Sequence, residues 1–316
     1  MNRDSIIESF LTVKVKKENT RVSYKKSISD FLSYLDEIGE TLDSCRYTHV
    51  ERYKSMLLEK YAASSVNAKM SAIISLYGFM EKNDYVKENK TSKIRVEREK
   101  IENTHDVFLN DDEINALIKY LKHRKKGFNE RAYEFTHARD LFFIVLGIKT
   151  GMRYCELSYI SKNNFDFEKK IIWLPKEIRK NERSLTIPID DEIEKLYKDY
   201  MIERDALEKK LGKVDENLFL SVRGQFMKNN KINEMIRKHI KNANKYYKER
   251  KENIHIREDI SVHKLRHTAA YLMIKNNYTL AETGRMLGHR SLNSTQRYIH
   301  TGLEDIRKKG FVLINC

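Results

Sequence analysis

Thr150-Gly151-Met152-Arg153 is followed by Glu156-Leu157. His263-x-x-Arg266-His267-Thr268 and Leu287-Gly288-His289 come later in the chain, and Tyr298 stands nine residues past His289. Arginine brings planar, permanently charged N–H donors that suit an oxyanion. Imidazole moves a proton near neutral pH, and a tyrosine hydroxyl becomes an oxygen nucleophile once its proton has a place to go. His263 and Arg266 are three residues apart and so project from one helix face. Such residue types suit displacement at a phosphodiester, whose transition state carries charge on two non-bridging oxygens and needs an in-line nucleophile and a proton for the departing oxygen. Taken singly, each residue has an ordinary alternative. Arg153 and Glu156 could form a surface i, i+3 bridge worth only about 0.2–0.5 kcal/mol, His267 and His300 could be structural, and Tyr271 and Tyr278 lie in apolar helical contexts that suit core rings. The ordered set argues against reading all of them that way.

These residues need elements to hold them. "RDLFFIVLGIKTGMRYCEL" (139–157) predicts a buried helix, a Thr-Gly break and a new helix start at Arg153. "KKIIWLPKEIRKNERSLTIPI" (169–189) has two β-branched runs around a polar, basic segment and predicts a hairpin with a long turn. "VHKLRHTAAYLMIKN" (262–276) and "TLAETGRMLGH" (279–289) predict helices carrying His263, Arg266 and the approach to His289, and "NNKINEMIRKHIKNANKYYKERK" (229–251) predicts a basic helix. In "FLNDDEINALIKYL", from 108, Asn110 and Glu113 form a capping-box pair ahead of the stripe Ile114, Leu117, Ile118 and Leu121. Upstream, residues 20–38 place Ile28, Phe31, Leu32 and Leu35 on one face. Segments 48–61 and 64–83 read likewise, with Thr48 and Ser64 or Ser65 as N-caps. The expected organisation is a helical domain over 1–86, a charged linker over 87–106 and a second domain over 107–316, with a C-terminal tail over 303–316. The expected fold class is mainly α with a small β-sheet, α+β.

Composition narrows the partners. The formal net charge is +15, and its excess is C-terminal: residues 1–100 carry 19 Lys/Arg against 15 Asp/Glu, residues 101–200 carry 18 against 18, and residues 201–300 carry 21 against 11. A basic field of that kind attracts a polyanion. No apolar run approaches the roughly 20 residues needed to span a bilayer, which favours nucleic acid over a membrane. Cys45, Cys155 and Cys316 are odd in number and lack a CxxC, so neither a disulfide framework nor a thiolate zinc site is expected. Together with an N-terminus lacking the apolar core of a signal peptide, they suggest a reducing, intracellular setting. There is no GxxxxGK[ST] phosphate loop. The acidic pairs Asp111-Asp112 and Asp190-Asp191 read as helix N-termini rather than metal ligands, so no cofactor and no metal is expected.

In its HxxRH, LGH and tyrosine signatures the ordered set resembles the tyrosine recombinase (phage integrase) family, over roughly residues 108–305. The helical first domain resembles that family's core-binding, SAM-like domain in size and character. The resemblance implies that Arg153 and Arg266 bind a scissile phosphate and that Tyr298 attacks it to form a 3′-phosphotyrosyl link. It implies that His263 handles the tyrosine proton, that His289 donates to the phosphate, and that Glu156 orients its neighbours. The family's general acid for the 5′ oxygen is a lysine on the hairpin turn. Counting back eight residues from Pro188 reaches Lys180, and the length of the segment leaves Lys176 as a second candidate.

The partners implied are double-stranded DNA and a homo-tetramer on two DNA sites, without ATP, in the cytoplasm at the nucleoid. Lys228, Lys231, Arg237, Lys238 and Lys241, on or beside the basic helix, are the candidate DNA contacts. The tail either docks on a neighbouring protomer, as in relatives, or packs on its own domain. Two rival readings are a type IB topoisomerase and a catalytically inactive DNA-binding relative. The recombinase-like first domain argues against the former and the complete residue set against the latter. Integration of a mobile element and resolution of chromosome dimers both stay open.

Overall fold

The computed structural model describes residues 3–95, 108–126, 132–179 and 183–288. The chain divides into two compact units, Met1–Glu102 and Asn103–Cys316.

The first unit contains four helices among its described residues: α1 (Arg3–Lys14), α2 (Glu18–Glu37), α3 (Tyr47–Lys60) and α4 (Ala63–Lys82). The sequence pattern did not single out α1, yet it buries Ile6, Ile7, Phe10 and Leu11. Phe31 meets Tyr53 edge-on at 5.1 Å, and the buried Tyr77 hydroxyl donates to the Leu42 carbonyl at 3.1 Å. The expected caps are not used. Thr48 lies inside α3, where the Arg46 backbone N–H donates instead to His49 Nδ1 at 3.3 Å. Ser64 and Ser65 lie inside α4, because backbone bonds to the Ala62 carbonyl close its first turn before either hydroxyl is needed. Tyr85, Val86 and Ile94 pack partly against this core, so apolar contact continues into the segment expected to be a linker.

The second unit is built around α6 (Tyr133–Thr150), whose run from Arg139 to Ile148 is buried throughout. A helix apolar on nearly all sides has to be covered all round. α8 (Asp191–Leu211), α10 (Val262–Lys275) and α5 (Asp111–His123) pack on it, and α9 (Asn229–Glu249) packs on α5 and α10. The Asn110 capping box forms as the spacing predicts: Glu113 N–H donates to Asn110 Oδ1 and Asn110 N–H to Glu113 Oε2, both at 2.9 Å. Asp190 likewise accepts from Ile193 N–H at 3.0 Å.

After the short α7 (Tyr154–Tyr159) comes a three-stranded antiparallel sheet in the order β1 (Phe165–Asp166), β2 (Ile171–Leu174), β3 (Leu185–Pro188). Ile172 pairs with Ile187 and Leu174 with Leu185. The expected hairpin is β2–β3, and β1 is an addition to it. α11 (Leu280–Leu287) completes the described elements. Mainly helical, with a small sheet, the chain has the α+β class expected.

Candidate active site

Gly151 ends α6 in the left-handed conformation, φ 62°. A Cβ at that position would lie 2.4 Å from Leu287 Cδ2 and 2.9 Å from Ala269 Cβ. Glycine is therefore required twice, for its backbone angle and for the close approach of the ends of α6 and α11 to the middle of α10. Two residues later Arg153 takes the N-cap position of α7. Its backbone N–H donates to Glu156 Oε2 at 2.7 Å and its Nη1 to Glu156 Oε1 at 3.1 Å, so one carboxylate both caps the helix and grips the arginine.

Glu156 is fully buried and gathers three guanidiniums. Arg153 lies at 3.1 Å, Arg179 at 3.6 Å and Arg266 at 3.9 Å. Arg266 also donates through Nη1 to the Gly151 carbonyl at 2.8 Å and through Nη2 to the Leu287 carbonyl at 2.7 Å. Arg153 Nη2 reaches the Gly288 carbonyl at 3.3 Å. The side chains of Arg179 and Arg266 are buried, whereas that of Arg153 keeps 22% of its surface open. Burial pushes Arg179 below the usual arginine range, Glu156 pulls it back and Arg153 adds to the depression. Arginine nonetheless stays charged in proteins. Three guanidiniums thus converge on one buried carboxylate.

His263 is exposed in the first turn of α10, with its ring edge-on to that of His267 at 4.6 Å, and Arg266 is buried one turn further along. Lys176 is exposed in the 3-10 turn that follows β2. Lys180, His289, Tyr298 and the tail 303–316 lie outside the described residues. Lys228, Lys231, Arg237, Lys238 and Lys241 are all exposed, Lys228 at the N-cap of α9 and the rest on its outer face. The inner face buries Ile232, Met235, Ile236, Ile240 and Tyr247, and Lys231 pairs with Glu234 at 2.8 Å. Among the described residues no three His, Cys, Asp or Glu side chains gather as a metal ion would require, and no helix is long and apolar enough to cross a membrane. Arg179 is the member that sequence reasoning missed. Nothing in its local sequence separates it from the exposed Lys176 and Glu177 beside it.

Known proteins share both halves of this architecture. The profile of the phage integrase family matches residues 107–304, and that of the phage integrase N-terminal SAM-like domain matches residues 7–83. The chain is 24% identical over 311 residues to tyrosine recombinase XerC of Thermodesulfovibrio yellowstonii, covering 96% of this chain and 94% of that one. It is 25% identical over 313 residues to tyrosine recombinase XerD of Staphylococcus aureus, covering 96% and 97%. Among solved structures, the Tn1549 transposon integrase in complex with transposon right end DNA superposes with a TM-score of 0.72 at 15% identity, covering 98% of both chains. The XerH site-specific recombinase in its post-cleavage complex with a palindromic difH substrate gives 0.70 at 17% identity, covering 97% of this chain and 94% of that one. With its catalytic and SAM-like segments both matched, and an arginine cluster at the heart of the former, the chain belongs to the phage integrase family of site-specific tyrosine recombinases.

Proposed function

We propose that the chain cuts and rejoins double-stranded DNA through a tyrosine, with Arg153 and Arg266 holding the scissile phosphate. The Tyr298 oxygen bonds to phosphorus as the bond to the 5′ oxygen breaks. A 3′-phosphotyrosyl link results, and the bond energy is kept for a second transesterification, so that neither ATP nor a metal is called on. His263 takes the tyrosine proton and later returns it. Lys180 gives a proton to the departing 5′ oxygen, with Lys176 as the alternative donor, and His289 donates to the phosphate. Attack by the 5′-hydroxyl of a partner strand then restores Tyr298 and seals the exchanged strand. Glu156 orients the arginines.

The observation that supports this reading is the convergence of Arg153, Arg179 and Arg266 on the buried Glu156, with Arg153 open to solvent on one side. Residues 1–86 and 107–316, joined by 87–106, clamp the duplex, and Lys228, Lys231, Arg237, Lys238 and Lys241 contact its phosphates. Four protomers act on two sites in the cytoplasm, at the nucleoid. The DNA named in the structures of the Tn1549 integrase and XerH is of the class this reading requires.

Trapping tests it. Wild type and Tyr298→Phe are incubated, without metal, with the DNA flanking the chain's own gene, and denaturant-resistant adducts are mapped. Wild-type adducts at discrete sequences, absent from Tyr298→Phe, are expected. Scattered adducts with plasmid relaxation would favour a topoisomerase. No adduct on a nicked trapping substrate, despite tight binding, would leave a DNA-binding protein without this chemistry.

A further inference from the structure

We propose that a cleft in the first unit, between α1, α2 and α4, docks an acidic peptide segment of a partner protein that carries an aromatic or large aliphatic side chain. The cleft has a volume of about 520 Å³, and its lining lies wholly within that unit. Phe10 and Phe79 are buried and Tyr24 is half-buried, so aromatic rings form its base. Phe10 stacks on Tyr24 at 6.3 Å and meets Phe79 at 5.6 Å. Lys14, Lys16 and Lys17 are exposed at its mouth, and no acidic side chain is among the described residues that line it. The side chains of Lys14 and Lys16 make no ion pair or hydrogen bond among the described residues.

Charge and shape together choose the occupant. Lysines with no carboxylate beside them in the lining select an anion. An aromatic base, for which a bare phosphate has no use, selects an apolar group delivered along with that charge. Gly78 lines the cleft from α4. Glycine weakens a helix interior, and close packing is not the reason for it here, since a Cβ would meet only Asn89 Nδ2 at 3.8 Å. The missing side chain keeps the cleft open. Val13 on α1 and Val22 on α2 flank the lysines in the chain and leave most of their surface exposed. Apolar surface inside a charged rim is the anatomy of a protein interface, whereas a nucleic-acid backbone offers valines nothing to pack against.

The test uses the full chain. A random-peptide phage library is selected on the wild type at physiological salt, and an enriched peptide is synthesised with a fluorophore for anisotropy titration. Enriched sequences should combine several Asp or Glu residues with an aromatic or large aliphatic one. A chain of net charge +15 attracts acidic peptides at many places, so two variants decide whether the cleft is responsible. Lys14→Glu with Lys16→Glu reverses the rim and should weaken binding by about 10-fold or more, as like charges set against each other do. Gly78→Leu fills the cleft, leaves the lysines in place and should weaken binding by about 10-fold or more through the lost apolar burial. Ser75→Trp, at an exposed position of the lining, takes its place if Gly78→Leu does not fold. No acidic enrichment, or equal affinity of wild type and variants, would overturn the proposal. So would a loss confined to the charge reversal, which would make the rim a nonspecific cationic patch. If the charge reversal weakens binding to duplex DNA and no peptide is enriched, the lysines hold phosphates and the cleft docks no protein. All these variants leave Arg153, Arg266 and Tyr298 unaltered, so failure here is distinct from failure of the cleavage chemistry.

Discussion

Two buried charge clusters lie on α6 and its continuation, and they are built differently. Within the helix, Arg139 Nη2 pairs with Asp140 Oδ1 at 2.6 Å, His239 Nε2 meets Asp140 Oδ2 at 2.7 Å, and Arg139 Nη1 donates to the Leu220 carbonyl at 2.8 Å. Burial alone would raise the Asp140 carboxyl, but Arg139 and His239 outweigh it and hold the group below its usual range. One carboxylate there answers one guanidinium, with an imidazole as its second partner, and the cluster ties α6 to α9. Just past the end of the helix, three guanidiniums share Glu156. The first arrangement is made of buried side chains that bind one another across two helices. The second gathers three guanidiniums on one carboxylate and leaves one of them, Arg153, partly open to solvent, and that opening separates a candidate binding site from a structural tie when both are ionic.

The contrast can be broken from either side. The largest effect is expected for Asp140→Asn, which strands a buried guanidinium and should cost about 3–5 kcal/mol of stability. Chemical denaturation would measure that loss, while the cleavage rate per folded molecule stays at the wild-type value. A loss of rate without a loss of stability would put Asp140 in the wrong class. Arg153→Ala should behave in the opposite way, lowering the cleavage rate by about 10²–10³-fold with a small change in the unfolding midpoint, since its side chain is partly open to solvent. A smaller, graded effect is expected on acidification. A carboxyl whose native pKa lies below its unfolded value of about 3.9 contributes stability that is fully present above that value and fades as pH falls through the lower native one. The stability of wild type should thus decline below about pH 4, and that of Asp140→Asn should fall less steeply over the same range, as followed by circular dichroism. The smallest effect is expected on α9: removing Lys238 or Lys241, each on the exposed face, should lower the slope of log affinity against log salt by about 1 for each phosphate no longer neutralised. An unchanged slope would remove that lysine from the DNA interface.

Most of the frame is legible in the sequence because its signals are local. The apolar run of α6, the Thr-Gly break before Arg153 and the Asn110–Glu113 capping pair each depend on residues within a few positions of one another. What escapes the sequence is what depends on distant partners. β1 is two residues long and exists only through its pairing with β2. The N-caps expected at Thr48 and Ser64 or Ser65 express a local preference that earlier backbone bonds override. Arg179 is one cation among several in a polar segment, and only tertiary structure brings it to Glu156 and Gly288. Glu156 shows the gradient within one residue: its spacing from Arg153 is legible, but its sharing among three arginines is not.

The backbone carbonyls around Arg153 and Arg266 carry a consequence of their own. Arg266 donates to the carbonyls of Gly151 and Leu287, and Arg153 to that of Gly288, all three at or next to the ends of α6 and α11. An arginine side chain left free in solution loses up to about 2 kcal/mol of rotamer entropy when a ligand fixes it. Here the helix ends have already fixed both guanidiniums, so that loss falls on folding rather than on the encounter with DNA. Under the proposed reading of Arg153 and Arg266 as phosphate holders, the pocket meets a phosphate preorganised, and the interaction is free to favour the transition state over the resting phosphodiester.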